Sequence, residues 1–428
     1  MSTIPLTGGL SDAYPDKQQA PVTRLEQLLA RRDISLHELQ AGVERASDAE
    51  LMPYGLRAYR LNLLSLFGSS WSRDSIFATA RRAAISKILG GWEHHHYYLP
   101  RLRAIADKSQ LYNVPIEPVR DLLGRGRGLI VMSFHLGHMR QIATDLAHAG
   151  IAVAGPLAAD AFSNYSTARL ANPQAALWRH LRPVNVEERS GSFALARTLA
   201  GGGCIFSAID GNTGLDGPLG DQRRTTVRLL EATAKVKTGL FDMAARFGSP
   251  ILVVVAYTEQ GQRVCRTAPV IDPEAPLMGG ESKRFVESAT AAAYAFFGAI
   301  LTEHADEWCG GDLFHQWKIP YSAPPADLLV VERYLASRLA DGGSLFADHR
   351  RILSLDDSNN LVWSDAVSGK CFRLPQDMAS AAQRLLTPGA GIDARWLSQC
   401  SNAERSRTWR ILCELASRKA IAVRDDVV

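Results

Sequence analysis

The chain predicts an α/β fold in which a mostly parallel sheet is flanked by helices, with a helical N-terminal region before it and a small α+β domain after it. Three observations carry that expectation. Between Gly126 and about Pro269, short apolar runs alternate with helix-period stretches, the pattern expected when strands buried on both faces are covered by helices. Upstream, apolar residues recur three and four positions apart, the period of a helix face. Downstream, one helical pattern is followed by several short β-like runs and then by further helical patterns.

In chain order, Ser2 to Pro21 is polar, with Gly and Pro, and predicts a disordered tail over 1–22. A domain follows over 23–325. Its helical lead-in is marked by Leu25, Leu28 and Leu29, then Leu63, Leu66 and Phe67, then Ile76, Ala80, Ala84 and Ile88. Near its end lies Trp92-Glu93-His94-His95-His96-Tyr97-Tyr98. Adjacent residues on a helix point in different directions, so three consecutive histidines do not ligate one ion from one face. This stretch is expected to line a pocket with polar and aromatic groups, and no metal site is expected. Candidate strands are Leu129 to Phe134, Ile151 to Ala154, Pro183 to Val186, Cys204 to Ile209, Val227 to Leu230 and Ile251 to Tyr257, with helices near 137–149, 190–201 and 237–247. The last domain, 326–428, opens with a helix from Ala326 to Ala340. Short runs at Arg351 to Leu355, Asn360 to Ser364 and Cys371 to Leu374 are punctuated by turns at 356–359 and 368–369, and a helix from Gln376 to Leu386 precedes a Thr-Pro-Gly break, two more helical patterns and a final run, Ala420 to Val423.

Composition narrows the function. The 428 residues are 46% apolar and 21% charged, as in ordinary globular proteins, and exceed what one core usually serves. A net charge of +4, with Lys and Arg scattered except for short clusters such as Arg81-Arg82, Arg223-Arg224 and Arg350-Arg351, forms no nucleic-acid stripe. Cys204, Cys265, Cys309, Cys371, Cys400 and Cys413 are far apart and make no CxxC pair, which predicts reduced thiols and a cytoplasmic protein. No run reaches the ~18 consecutive apolar residues of a membrane span and the N-terminus has no signal-like pattern, so no transmembrane segment is expected; peripheral membrane contact stays open.

The segment Gly128 to Gln141, GLIVMSFHLGHMRQ, carries the chemistry. Leu129 to Met132 reads as a strand buried on both faces, and ligands of open α/β sheets gather beyond the carboxyl ends of such strands. His135 falls there, on a Gly-containing turn before a helix, where an imidazole can serve as a general base; the alternative is a histidine that merely caps the strand. His138 is a second candidate, against a solvent-facing first helical turn. Asp210 closes another buried run, where an acid needs a partner or a function, and Asn212 and Thr213 are placed in the same crevice. Arg140 offers a planar fork for an acceptor carboxylate or a pantetheine phosphate. Arg223 and Arg224, after the loop Gly217 to Asp221, are candidates for meeting phosphate or an acidic carrier protein. For all three arginines the competing reading is a solvated charge. The glycine run 201–203 precedes a strand, so it is a turn and no phosphate loop.

Several blocks in order, across Leu122 to Trp317, resemble the lysophospholipid acyltransferase superfamily and in particular its late lipid A acyltransferase branch. The matching segment is His135-Leu136-Gly137-His138-Met139-Arg140; in the family the first core strand ends in a catalytic His, with its acid after four intervening positions, and here that acid is Arg140. Leu199 to Gly211 resembles the family's helix, glycine turn and strand ending in Asp. Val227 to Leu230, Thr238-Gly239 and Ala244 to Leu252 resemble its substrate loop, helix and next strand, and Trp308 with His315 to Lys318 its tryptophan-rich end. The resemblance implies acyl transfer, with His135 deprotonating a hydroxyl or amine that attacks a thioester. The missing carboxylate would have oriented the imidazole and stabilised the imidazolium, which a permanent cation does not do. Asp210 or Asp145 substitutes for it, or the base works unassisted.

The order of elements after 326 is similar to the small winged-helix modules related to peptide-binding chaperones of peptide natural-product pathways, which implies a peptide or carrier partner. The expectation is therefore an acyltransferase of natural-product biosynthesis. Its donor would be an acyl-CoA or carrier-protein thioester, its acceptor a small molecule or peptide, and it would hold no bound cofactor and contact no nucleic acid. A thioester hydrolase and a non-catalytic carrier- or peptide-binding protein are the alternatives.

Overall fold

The computed structural model describes residues 3–4, 23–31, 33–94, 114–171, 173–174, 176–211, 213–215, 223–320, 324–355, 361–387 and 389–424. The chain divides into two compact units, one of residues 19–59 and 78–318, the other of residues 1–18, 60–77 and 319–428. Residues 60–77, expected in the α/β domain, thus group with the C-terminal residues. Thr3–Ile4 forms a strand, β1, inside the stretch expected to be disordered; the rest of 1–22 lies outside the described residues.

Helices α1 (Arg24–Ala30), α2 (Leu36–Glu44), α3 (Asp48–Leu51), α4 (Leu56–Phe67), α5 (Arg73–Glu93) and α6 (Ile116–Gly124) precede the sheet. The first three open with capping boxes, Thr23/Glu26, Ser35/Glu38 and Ser47/Glu50, in which each side chain satisfies the other's backbone N–H.

The α/β unit then runs β2 (Leu129–Ser133), α7 (Arg140–His148), β3 (Val153–Leu157), α8 (Ala159–Ala171), β4 (Leu181–Asn185), α9 (Arg189–Ala200), β5 (Cys204–Ala208), β6 (Arg224–Leu229), β7 (Ala232–Lys237), α10 (Gly239–Phe247), β8 (Ile251–Glu259), β9 (Gln262–Thr267) and α11 (Gly279–His304). The main sheet has the order β4-β3-β5-β2-β8-β9, parallel from β4 to β8 and antiparallel only at the edge strand β9. Every residue of β2 is buried, which is why its sequence is a continuous apolar run rather than an alternating one. The connections leaving β2 and β5 head in opposite directions along the sheet.

Two strands depart from expectation. Of the run Val227 to Leu230, the first three residues belong to β6, outside the main sheet, in a hairpin with β7. Its buried and exposed residues alternate, the pattern of a half-buried strand. In β9 all six residues are partly or fully exposed, so it lacks the apolar period that would reveal it. Among the described residues one helical stretch, Gly279–Glu307, is long and apolar enough to cross a membrane, and half of its most apolar window is buried within the protein.

The other unit contains α12 (Leu328–Ala340), β10 (Ser344–Ala347), β11 (Ile352–Ser354), β12 (Leu361–Asp365), β13 (Cys371–Leu374), α13 (Ala379–Leu386), α14 (Ala394–Gln399), α15 (Asn402–Ser417) and β14 (Ile421–Arg424). Its sheets are antiparallel, β1-β13-β12-β11 and β10-β14, around a core that includes Trp363, Phe372, Leu385 and Leu412. The expected turn at 356–359 lies outside the described residues.

Candidate active site

Parallel pairing creates the site. Strands β2 and β5 are adjacent and pair in steady register from Leu129 with Cys204 to Ser133 with Ala208. Continued two residues past both strand ends, that register sets His135 opposite Asp210. The imidazole Nδ1 lies 2.7 Å from Asp210 Oδ1, and the backbone N–H of His135 donates to both carboxylate oxygens at 2.9 and 3.1 Å. The acid is thus tied to the ring and to the backbone that carries it. With Nδ1–H donating to the carboxylate, Nε2 is left as the basic nitrogen. The Asp210 side chain is 5% exposed and that of His135 28%, so the pair presents one end to solvent and keeps the other dry.

The residues before this pair are clamped. Phe134 is fully buried, stacks on Phe297 of α11 at 3.9 Å and meets the edge of Tyr294. The Tyr294 hydroxyl donates to the carbonyl of Ile209, one residue before Asp210. Burial, and then the charge of Asp210, push the Tyr294 phenol well above its usual value, so it stays a hydrogen-bond donor. One helix therefore braces the approaches to both members of the pair.

Turn geometry needs glycine at 137. Gly137 has φ +52°, and a Cβ there would stand 2.6 Å from the carbonyl oxygen of Ala256. Its N–H donates to the carbonyl of Glu307 at 2.9 Å, while the N–H of Leu136 donates to that of Phe134. Behind the turn, the Cys309 thiol donates to the His135 carbonyl at 3.0 Å, Gly310 donates to the same oxygen, and the Tyr59 hydroxyl donates to the Cys309 carbonyl at 2.8 Å. Burial raises the Cys309 thiol to about 12, which keeps it protonated and unsuited to nucleophilic attack.

A cavity of about 130 Å³ opens in front of this turn, lined by residues that include Lys87, His94, His135, His138, Arg140 and Cys309. His138 Nδ1 sits 3.0 Å from Glu93 Oε2, and Arg263 reaches the other Glu93 oxygen at 3.2 Å and Gln141 at 2.8 Å. Lys87 is paired with Asp312. Arg140, the first residue of α7, is exposed.

The structure thus brings together His135, Asp210, His138 and Arg140. The carboxylate beside His135 is that of Asp210, two residues past β5, whereas Asp145 lies on the buried side of α7. His94 lines the cavity as expected of its stretch, whereas His95, His96, Tyr97 and Tyr98 lie outside the described residues, as does Asn212. Thr213 is exposed and lines neither this cavity nor the next.

Arg223 and Arg224 line a cavity other than the one beside His135. Because β6 leaves the main sheet and pairs with β7, with Arg224 opposite Lys237, both arginines line a separate cavity of about 740 Å³ beside the first turns of α10 and α11, together with Arg246 and Lys283. Glu93, Arg263, Lys87 and Cys309 escaped the sequence reading. Of these only Glu93 carried a signal, as an acid within an aromatic and histidine-rich stretch.

Among the described residues no group of three or more His, Cys, Asp or Glu side chains is placed to hold a metal ion. A search against protein-family models and against curated proteins finds no match for this chain.

Proposed function

We propose that this chain is an acyltransferase that moves an acyl group from a carrier-protein or coenzyme A thioester to an amine or hydroxyl, with His135 as the general base. The observation that carries the reading is the bond from His135 Nδ1 to the buried carboxylate of Asp210, at the carboxyl ends of two adjacent parallel strands and beside a cavity. A carboxylate on Nδ1 fixes the tautomer and stabilises the imidazolium that forms when Nε2 takes a proton. That is the function of the acid missing from position 140, so the resemblance to the lysophospholipid acyltransferases and the geometry support the same chemistry.

In the proposed cycle Nε2 removes a proton from the acceptor as its lone pair attacks the thioester carbonyl carbon. The carbonyl π pair moves to oxygen, returns as the C–S bond breaks, and the expelled thiolate takes the proton from Nε2. The guanidinium of Arg140, which has no ion-pair partner among the described residues, provides positive charge near the developing oxyanion. His135 is a quarter exposed, so water is the competing acceptor and thioester hydrolysis the competing outcome. The absence of spanning requirements for a small acceptor, the C-terminal unit's resemblance to peptide-binding modules and the reduced cysteines support a cytoplasmic role in natural-product biosynthesis.

The test is an intact-mass assay of acyl transfer from a panel of acyl carrier proteins and acyl-CoA thioesters to amine and hydroxyl acceptors, with His135→Ala alongside. Acylated product from the wild type alone is expected. Thioester loss without acylated product would make the protein a hydrolase, and an inert donor panel would make it a binding protein.

A further inference from the structure

The charges around the cavity are unevenly satisfied. His135 rests on Asp210 at 2.7 Å, His138 on Glu93 at 3.0 Å, and Lys87 on Asp312. Arg263, the cation behind Glu93, is engaged by that acid and by Gln141. Arg140 is the one cation lining the cavity that has no ion-pair partner among the described residues. It stands at the amino end of α7, nine residues long, where the helix dipole adds positive potential. Its charge is felt at the wall, since it lowers the Cys309 thiol against the upward push of burial.

The inner side of the cavity has the opposite character. Two imidazoles are each backed by a carboxylate with a nearly buried side chain, 5% exposed for Asp210 and 6% for Glu93. A ligand complementary to both ends carries an anion toward Arg140 and an amine toward His135. The guanidinium fork matches a carboxylate in bidentate fashion. Size limits the rest: a cavity of about 130 Å³ is close to that known to hold a single benzene ring, ~150 Å³, so the anion and the amine sit within a few bonds of each other.

We infer that the acyl acceptor is a small α-amino acid, bound through its carboxylate to Arg140 and acylated on its amine at His135. The inference rests on the acyl-transfer reading and names the acceptor class of that same site. His135 Nε2 takes one proton from the ammonium group, and the freed lone pair forms the C–N bond to the thioester carbon. The oxyanion then re-forms the carbonyl and the C–S bond breaks. The thiolate takes the remaining surplus proton from nitrogen, and His135 returns its proton to solvent. The products are the N-acyl amino acid, the free thiol and one proton.

Binding is measured first, because it needs no donor. Calorimetric titration of the full chain with L-alanine, L-alaninamide and L-lactate is expected to show alanine bound tightest. The preference over alaninamide should be roughly 10- to 100-fold, from one charge-assisted bidentate contact, and Arg140→Gln should abolish it without changing the melting temperature. Equal binding of alanine and alaninamide by the wild type, or a preference that survives in Arg140→Gln, overturns the inference. Lactate bound as well as alanine overturns the amino-acid class.

Turnover of octanoyl-coenzyme A with hydroxylamine, a small nucleophile without a carboxylate, separates the two levels. Hydroxamate formed in a His135-dependent way, without preference for alanine, leaves acyl transfer standing and removes the amino-acid acceptor. No turnover with either nucleophile removes both.

Discussion

Two aspartates, one in each compact unit, are nearly or fully buried at strand ends, and they serve opposite ends. Asp365 on β12 has a fully buried side chain and is saturated. Arg351 grips both of its oxygens, the N–H of Val367 donates to Oδ1 at 3.0 Å, and the Ser368 hydroxyl donates to Oδ2. Asp210 is almost as buried, yet its partner is an imidazole whose side chain is 28% exposed, against 13% for Arg351. A guanidinium gives up no proton in the working range and an imidazole does. Burial and hydrogen bonding are therefore alike at the two sites; what separates them is the partner, a guanidinium at Asp365 and a more exposed imidazole at Asp210, as the proposed general-base role of His135 requires.

The largest effect expected from that contrast is on turnover. Asp210→Asn should lower the acyl-transfer rate by about 10²–10⁴-fold while the variant stays folded, measured as steady-state rate beside a thermal melt. A near-normal rate would place Asp210 with Asp365 as a structural acid. The mirror experiment is Asp365→Asn, which strands the Arg351 charge and should cost about 3–5 kcal/mol of stability in urea unfolding of the full chain. A cost below about 1 kcal/mol would break the comparison from the other side.

A subtler variant separates position from identity. A Cβ at residue 310 would fall 2.7 Å from His135 Cβ and 2.9 Å from Asp210 Oδ2, so Gly310→Ala shifts the pair without altering either member. A rate loss of roughly 10²-fold is expected from a displacement near 1 Å, and an unchanged rate would show that the pair tolerates movement.

The smallest effect concerns Glu307, whose carboxyl is raised mainly by burial and which accepts the N–H of Thr258 at 2.8 Å. The folded state holds this proton to higher pH than the unfolded chain. The contribution to stability is thus fully present below the unfolded Glu value of about 4.3 and is lost as pH rises through the higher folded value. Glu307→Gln keeps an acceptor for Thr258 and cannot ionise, so its melting temperature should gain on the wild type as pH rises from about 4 toward neutrality. A difference independent of pH would show that Glu307 ionises without penalty.

How much of this could be read from the sequence follows from the range of each interaction. The apolar run at Leu129 to Met132 and the glycine turn after it are local, and they suffice to put His135 on a turn at the end of a buried strand. Asp210 stood out as an acid ending a buried run, but its meeting with His135 is a product of β2–β5 pairing across 75 positions, which no local pattern encodes. That the run after Arg223 and Arg224 lies in a hairpin has the same origin, since one apolar run looks alike in a central strand and in a hairpin. Strand β7 was legible in principle, because Ala232, Ala234 and Val236 are buried and alternate with polar residues. Glu93 stands out locally as an acid in an aromatic and histidine-rich stretch, but its pairing with His138, and with Arg263 170 positions away, has no local pattern.

A histidine–aspartate pair set by strand register rather than by spacing along a helix has a consequence for which changes of chain length it tolerates. Beyond the turn that carries His135 and Gly137, the stretch leading to β5 can change in length without moving the imidazole from its acid, provided the two strands keep their alignment. The excursion through β3, α8, β4 and α9 is thereby the tolerant part of this unit, while β2, β5 and the glycine turn between His135 and α7 are the part that holds the pair.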